Sequence, residues 1–168
     1  MRIRRPAAHE AAVLSSIAMT SKAYWAYSSA QLADWRESLT ITPNLISTSP
    51  TFVAEVDGQI VGFFVLLPAT PDWVLDHLWV IPSSMRMGVG RALLKQAVNV
   101  ASAGGAQAIV IDSDPGAEIF YLACGAVRVG TVAAPIEGAA DRVRPQLLIR
   151  IASPNMNPGN ATTAPSAI

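Results

Sequence analysis

Cysteine, histidine and charge are all scarce in this chain. A single cysteine, Cys124, excludes an internal disulfide and a cysteine-based metal cluster. Two histidines, His9 and His77, leave little from which to build a zinc site, so no metal is expected. Charged residues make up only 14% of the 168 residues, against about 25% in ordinary globular domains. Lys and Arg number 12 and balance 12 Asp and Glu, so no net field draws nucleic acid or an anionic membrane. No stretch reaches the ~18 uninterrupted apolar residues of a membrane span. The basic start Met1-Arg2-Ile3-Arg4-Arg5 runs into Pro6, His9 and Glu10, which interrupt any signal-peptide core. The expectation is a soluble, reduced, cytoplasmic protein whose partners are neither nucleic acid nor membrane.

What is present is apolar surface. Hydrophobic residues make up 51%, which excludes disorder for the chain as a whole. The length suits one domain burying roughly two-thirds of its unfolded surface. A strand over Ile3 to Arg5 is predicted first, closed by Pro6, then an alanine-rich helix over 7–19. A second helix fits about 21–40, with Trp25, Leu32, Trp35 and Leu39 at spacings of seven, three and four. Pro43 ends it, and 41–50 reads as loop.

The runs 51–56 and 59–67 flank Asp57-Gly58, a strong short-range hairpin signal. Trp73 to Ile81 is another strand, 89–101 a helix stopped by Gly104-Gly105, and 108–111 a short apolar strand. Asp114-Pro115 opens a short helix to residue 123. Strands over 127–132 and 146–151 follow. These elements predict an α/β fold, a single domain with a mixed central sheet flanked by helices, over residues 1–151. The Pro-, Asn-, Ser- and Thr-rich segment 152–168 reads as a disordered tail.

The most informative stretch joins the strand ending at Ile81 to the helix starting at Val89 through Gly88 and Gly90. Glycines there let backbone approach a ligand closely, and the free N–H groups of a helix start bind anionic oxygens. Arg86 and Arg91 add charge. A phosphate site and a plain tight turn are the two readings. Two better-known phosphate motifs fail: Leu93 stands where a dinucleotide fingerprint needs glycine, and Arg91-Ala92 follows Gly90 where a P-loop needs Lys-Ser/Thr.

The segment Met85 to Gly90 resembles the acyl-CoA loop of the GCN5-related N-acetyltransferase (GNAT) family, Gln/Arg-x-x-Gly-x-Gly/Ala. Met85 departs from that pattern, with Arg86 one place over. A second segment, Asp114 to Ala126, is similar to the family signature Asn-Ala-x-x-Phe-Tyr-x-x-x-Gly-Phe, with Gly116 for Asn and Ala126 for Phe. The resemblance implies acetyl-CoA as co-substrate, held by Leu78, Val80, Arg86, Met87, Gly88, Val89, Gly90, Arg91 and Tyr121. It implies that the Val80 N–H polarises the thioester carbonyl and that Tyr121 protonates the departing thiolate. The other reading of Tyr121 is packing of its helix with Phe120.

For the base, Asp76 matches the strand position where many family members carry an acid. Strict alternation puts Asp76, Leu78 and Val80 on one face, with His77 and Trp79 on the other. Asp76 then either faces the cleft or is a solvated charge. Tyr24, Trp25 and Tyr27, in the region that lines the family's acceptor pocket, are candidates for binding an amine through apolar and cation–π contact. Their alternative is simple amphipathic packing. Cys124 lacks a His partner in the sequence pattern and reads as core.

The leading reading is thus N-acetyl transfer from acetyl-CoA to an amine, small molecule or peptide, in a ternary complex. A non-catalytic acyl-CoA-binding or sensory domain on the same fold is the alternative. A dimeric structural module is a third. The apolar fraction favours a homodimer under the enzymatic reading as well.

Overall fold

The computed structural model describes residues 1–152, so the predicted tail lies outside the described residues except for its first position. Seven strands form one sheet in the order β1-β2-β3-β4-β5-β7-β6. They are β1 (Arg2–Arg4), β2 (Thr51–Val56), β3 (Gln59–Leu67), β4 (Trp73–Val80), β5 (Ala108–Asp112), β6 (Val127–Ala133) and β7 (Val143–Arg150). Only β4 and β5 are parallel, which makes the sheet mixed. The β2–β3 hairpin turns on Asp57 (φ 49°) and Gly58 (φ 77°). Two successive positive φ angles are the primed-turn geometry that matches strand twist.

Five helices cover the sheet: α1 (Ala11–Ala23), α2 (Ser29–Asp34), α3 (Pro43–Thr48), α4 (Val89–Ala103) and α5 (Glu118–Ala123). Period two along β3 sends Phe63 and Val65 to one face and Phe64 and Leu66 to the other, all four fully buried. The first pair packs with Leu14, Ile17 and Ala18 of α1 and Ile46 of α3. The second packs with Leu93, Leu94 and Ala97 of α4 and with Tyr121 of α5. Each of these large side chains contributes about 1.5–3 kcal/mol by leaving water.

The structure corrects the helical reading of the first fifty residues. The helix expected over 7–19 runs instead over Ala11–Ala23, and the one expected over 21–40 is broken. The chain turns at Ala26, which sits at φ 59°, and restarts at α2 under a Ser28–Gln31 capping box. The expected loop 41–50 contains α3, which Thr42 caps and Pro43 opens. Proline there starts a helix instead of ending one, since its missing N–H is unneeded at the first position.

Candidate functional site

The site begins where two strands part. β4 and β5 pair only at Trp73↔Ile109 and Val74↔Val110, so β4 has no partner on that side from Leu75 onward. The Ile81 N–H donates to the Val61 carbonyl at 2.9 Å, and Val80 stands opposite Gly62. Backbone groups of an antiparallel strand alternate sides, so the N–H groups of Leu78 and Val80 point into the gap. Ser21, buried on α1, donates its hydroxyl to the Val80 carbonyl at 2.8 Å and fixes that peptide. The gap opens into a cavity of about 1120 Å³, more than one drug-sized ligand fills.

At one end of the cavity lies the loop into α4. Arg86 (φ 62°) and Gly88 (φ 83°) both adopt left-handed backbone, and the first helical bond is Ala92 N–H to Gly88 carbonyl at 3.0 Å. The six amides from Arg86 to Arg91 therefore have no acceptor among the described residues. A helix start alone leaves four such donors. The two glycines do different work. Gly88 takes a conformation that side chains resist, while a Cβ on Gly90 would stand 3.2 Å from the Phe120 ring. Met87 is exposed and Val89 is buried in the core, so neither side chain lines the cavity; their contribution is the amide alone.

Tyr121 lies on the opposite wall. Asp114 caps the turn before α5 through the Gly116 N–H, Pro115 follows, and Gly125 (φ 94°) lets the chain leave the helix. This orients Tyr121 inward, 7% exposed, with its ring edge-on to Phe120 at 5.0 Å. Its hydroxyl has no hydrogen-bond partner among the described residues and borders the cavity. Burial pushes the phenol well above its ordinary pKa, only partly opposed by the Arg144 charge, so it is a held proton donor at neutral pH.

The alternation expected along β4 fails at Asp76. Leu66 pairs with Leu75 and Val65 with His77, so Asp76 is the extra residue of a bulge. It sits beside His77, whose Nε2 is 3.2 Å from its Oδ2. Trp79 Nε1–H donates to His77 Nδ1 at 3.0 Å. An indole N–H cannot accept, so Nδ1 is the acceptor and Nε2 carries the proton toward Asp76. Asp76 still lines the cavity, its side chain 39% exposed. The His77 hydrogen bond holds its carboxyl below the ordinary value against the opposing effect of burial.

The three aromatic candidates separate. Tyr24 is exposed and lines the cavity rim with Trp25, edge-on to it at 5.3 Å. Trp25 lies on Gly116: a Cβ there would meet its ring at 2.5 Å. Tyr27, the third candidate, is not among the residues that line the cavity. Its hydroxyl donates to Asp114 Oδ2 at 2.8 Å and accepts from Arg142 at 3.0 Å. Of the rings expected to hold an amine, Tyr27 already faces the protein's own ammonium. Lys22 Nζ stands 4.6 Å from the Tyr27 centroid and 4.1 Å from that of Trp35.

The Trp25–Gly116 contact predicts that Gly116→Ala costs about 1–2 kcal/mol of overpacking, a melting-temperature drop of roughly 2–8 °C. Adding Trp25→Ala should return most of that loss. Thermal denaturation that leaves Gly116→Ala at the wild-type value would show that the indole moves aside freely.

Sequence reasoning missed Ser21, Lys22, Trp35, Asp114, Arg142 and Arg144 as cavity residues. Lys22 Nζ donates to Asp114 Oδ2 at 2.6 Å, and Arg142 lies 3.5 Å from the same oxygen. Burial alone would raise the Asp114 carboxyl, yet the Lys22 hydrogen bond and charge, with Tyr27 and the Gly116 N–H, hold it below its ordinary value. Burial lowers the Lys22 ammonium, and Asp114 opposes that. Attraction wins at the carboxylate and desolvation at the amine, and both groups keep a tenth of their side-chain surface exposed. Among the described residues no group of three or more His, Cys, Asp or Glu could hold a metal ion. Among the same residues no helix is long and apolar enough to cross a membrane.

The model of the Acetyltransferase (GNAT) family matches residues 17–126, which hold the glycine loop, the parted strands and Tyr121. Solved structures share the fold. A GCN5-related N-acetyltransferase from Rhodopseudomonas palustris superposes with a TM-score of 0.75 at 23% identity, covering 89% of this chain and 94% of that one. The PaiA N-acetyltransferase of Thermoplasma acidophilum, in complex with coenzyme A, gives 0.70 at 18% identity over 89% and 98%. The ribosomal-protein-S18-alanine N-acetyltransferase of Escherichia coli gives 0.67 at 14% identity over 93% and 97%. No curated protein matches the sequence.

Proposed function

This chain belongs to the GNAT acetyltransferase family, and from that premise we propose that it moves an acetyl group from acetyl-CoA to an amine by direct attack in a ternary complex. The observation that carries the reading is the run of six unpaired amides, Arg86 to Arg91, opening beside two further unpaired N–H groups on β4. Backbone donors in a left-handed loop form a concavity suited to pyrophosphate oxygens, and exposed Arg86 and Arg91 add charge at its mouth.

The chain's residues divide the chemistry. The N–H groups of Leu78 and Val80 receive the thioester carbonyl oxygen and the negative charge it gains during attack. Asp76, through water, accepts the proton that the attacking nitrogen must lose. Tyr121 donates its proton to the sulfur as the carbon–sulfur bond breaks, leaving free thiol and a new amide, and its phenolate regains a proton through water as Asp76 gives up the one it took. Thiolate near pKa ~8.5 is a weaker base than phenolate at ~10, and burial widens that gap, so this proton transfer is uphill by itself and is completed by reprotonation of the phenolate.

Coenzyme A at about 100 times its Kd should stabilise the wild type by about 2.7 kcal/mol, raising the melting temperature by roughly 5–10 °C. Gly88→Val forces a branched side chain into φ 83° and should reduce that rise to under about 2 °C while the unliganded protein still melts cooperatively. An undiminished rise removes the loop from the reading. Release of free thiol from acetyl-CoA, screened over a panel of amines, tests the activity. Stabilisation by coenzyme A with no thiol release for any amine would favour a non-catalytic acyl-CoA-binding domain.

A further inference from the structure

The acceptor end of the cavity holds more positive charge than the transfer just described uses. Arg142, just before β7, and Arg144, near its start, both line the cavity. Arg142 is braced: Nη1 donates to the Ala134 carbonyl at 3.1 Å, Nη2 to Tyr27 Oη, and its side chain is 11% exposed. Arg144 gives one Nη2 hydrogen bond to the Asp112 carbonyl and has no other partner among the described residues. Its charge acts on Lys22, Asp76 and Tyr121, which sets it among the groups of the transfer step.

The neighbouring carboxylates do not absorb this charge. Asp114 offers one negative charge to two cations, Lys22 and Arg142. The Asp112 carboxylate takes its hydrogen bond from Gln146 at 3.0 Å. A half-buried guanidinium with unused donors is costly unless something accepts them, and its planar fork matches a carboxylate. A purely cationic acceptor would meet Lys22, Arg142 and Arg144 together, with the Tyr27 and Trp35 faces already taken by Lys22. Asp76, more open and held by His77 alone, is the complementary negative group.

We propose that the acceptor is an amine that also carries a carboxylate, an amino acid or short peptide, with the carboxylate on Arg144, backed by Arg142, and the amine toward Asp76. This rests on the acetyl-transfer reading. The experiment measures thiol release from acetyl-CoA with the common α-amino acids, their carboxamides and the amines left by decarboxylation. Acids should exceed both neutralised series in kcat/KM by about tenfold to a hundredfold, the worth of a charge-assisted hydrogen bond.

Arg144→Gln should raise KM for the acid by about the same factor, leave KM for acetyl-CoA within about twofold, and erase the preference for acid over amide. Arg144→Lys, which keeps charge without the fork, should recover part of the preference. Transfer to amides or decarboxylated amines at rates equal to the acids overturns this proposal and leaves the acetyl-transfer reading standing. Absence of transfer to every amine overturns the acetyl-transfer reading and this proposal with it.

Discussion

Replacing Asp114 by asparagine is expected to lower the melting temperature by about 6–12 °C, through one carboxylate that joins four separate segments. Oδ2 accepts from Lys22 on α1 and Tyr27 in the α1–α2 turn and lies beside Arg142 before β7, while Oδ1 accepts the Gly116 N–H. Asparagine keeps the shape and removes the charge. Lys22 and Arg142, each with a tenth of its side chain exposed, are then left facing each other without a counter-ion. Breaking one side of a buried pair costs about 3–5 kcal/mol, and the residual exposure places this case near 3. A domain of this size loses about 2–4 °C per kcal/mol.

The sign of the pH dependence follows from the depressed carboxyl. The folded protein holds Asp114 ionised below the ordinary carboxylate value of 3.8, so its contribution is complete above that value. It fades as the pH falls through the lower, folded value. The gap in melting temperature between wild type and Asp114→Asn should therefore be constant from pH 8 to 5 and narrow only below about 4. Lys22→Met combined with Asp114→Asn should cost less than the sum of the two, since each alone strands the other. A drop under 2 °C for Asp114→Asn at pH 7 would show that water replaces the carboxylate at little cost.

That cluster also shows where sequence reading stops. Asp114 is visible in the sequence as the cap before Pro115, because capping is a matter of adjacent residues. Its ion-pair role depends on Lys22, 92 positions away, and nothing local to either residue marks the pairing. The Asp57-Gly58 hairpin and the Gly88/Gly90 loop were legible for the same local reason: left-handed backbone leaves its mark on residue choice. The α3 start was written in the same grammar as the α5 start, Thr42-Pro43 beside Asp114-Pro115, and only a missing apolar repeat hid it.

The Asp76 bulge carries no such mark. The segment Trp73 to Val80 alternates plausibly in either register, and the extra residue is decided by pairing with β3. Asp76 lines the cavity, at a register that pairing with β3 decides. The aromatic run Tyr24 to Tyr27 was legible as unusual, and the structure divides it, with Tyr24 and Trp25 lining the cavity and Tyr27 not. Its Tyr27 ring serves an internal cation, which becomes visible only once Lys22 is seen to bury its ammonium beside Trp35.

Tyr121→Phe is expected to lower kcat by about 10²–10⁴-fold, the range that one general acid supplies. The substitution removes a single oxygen. The ring keeps its edge-on contact with Phe120 and its place among Leu93, Leu94 and Leu147, so the core should hold. Stability should not fall, because the lost hydroxyl makes no hydrogen bond among the described residues. This separates the catalytic from the packing reading with unusual clarity. A packing tyrosine whose hydroxyl bonds to nothing would lose neither stability nor turnover, whereas an acid loses turnover alone. Coenzyme A affinity should change by less than about tenfold, since at most one hydrogen bond of ~0.5–1.5 kcal/mol to the ligand is removed. A series of amines adds an independent reading: with the acid gone, the variant's residual rate should rise with amines whose attack yields a more acidic nitrogen, because that proton then has to reach the sulfur. Wild-type kcat in Tyr121→Phe at saturating acetyl-CoA and acceptor would end the assignment, leaving water or the attacking amine as the source of the proton on sulfur.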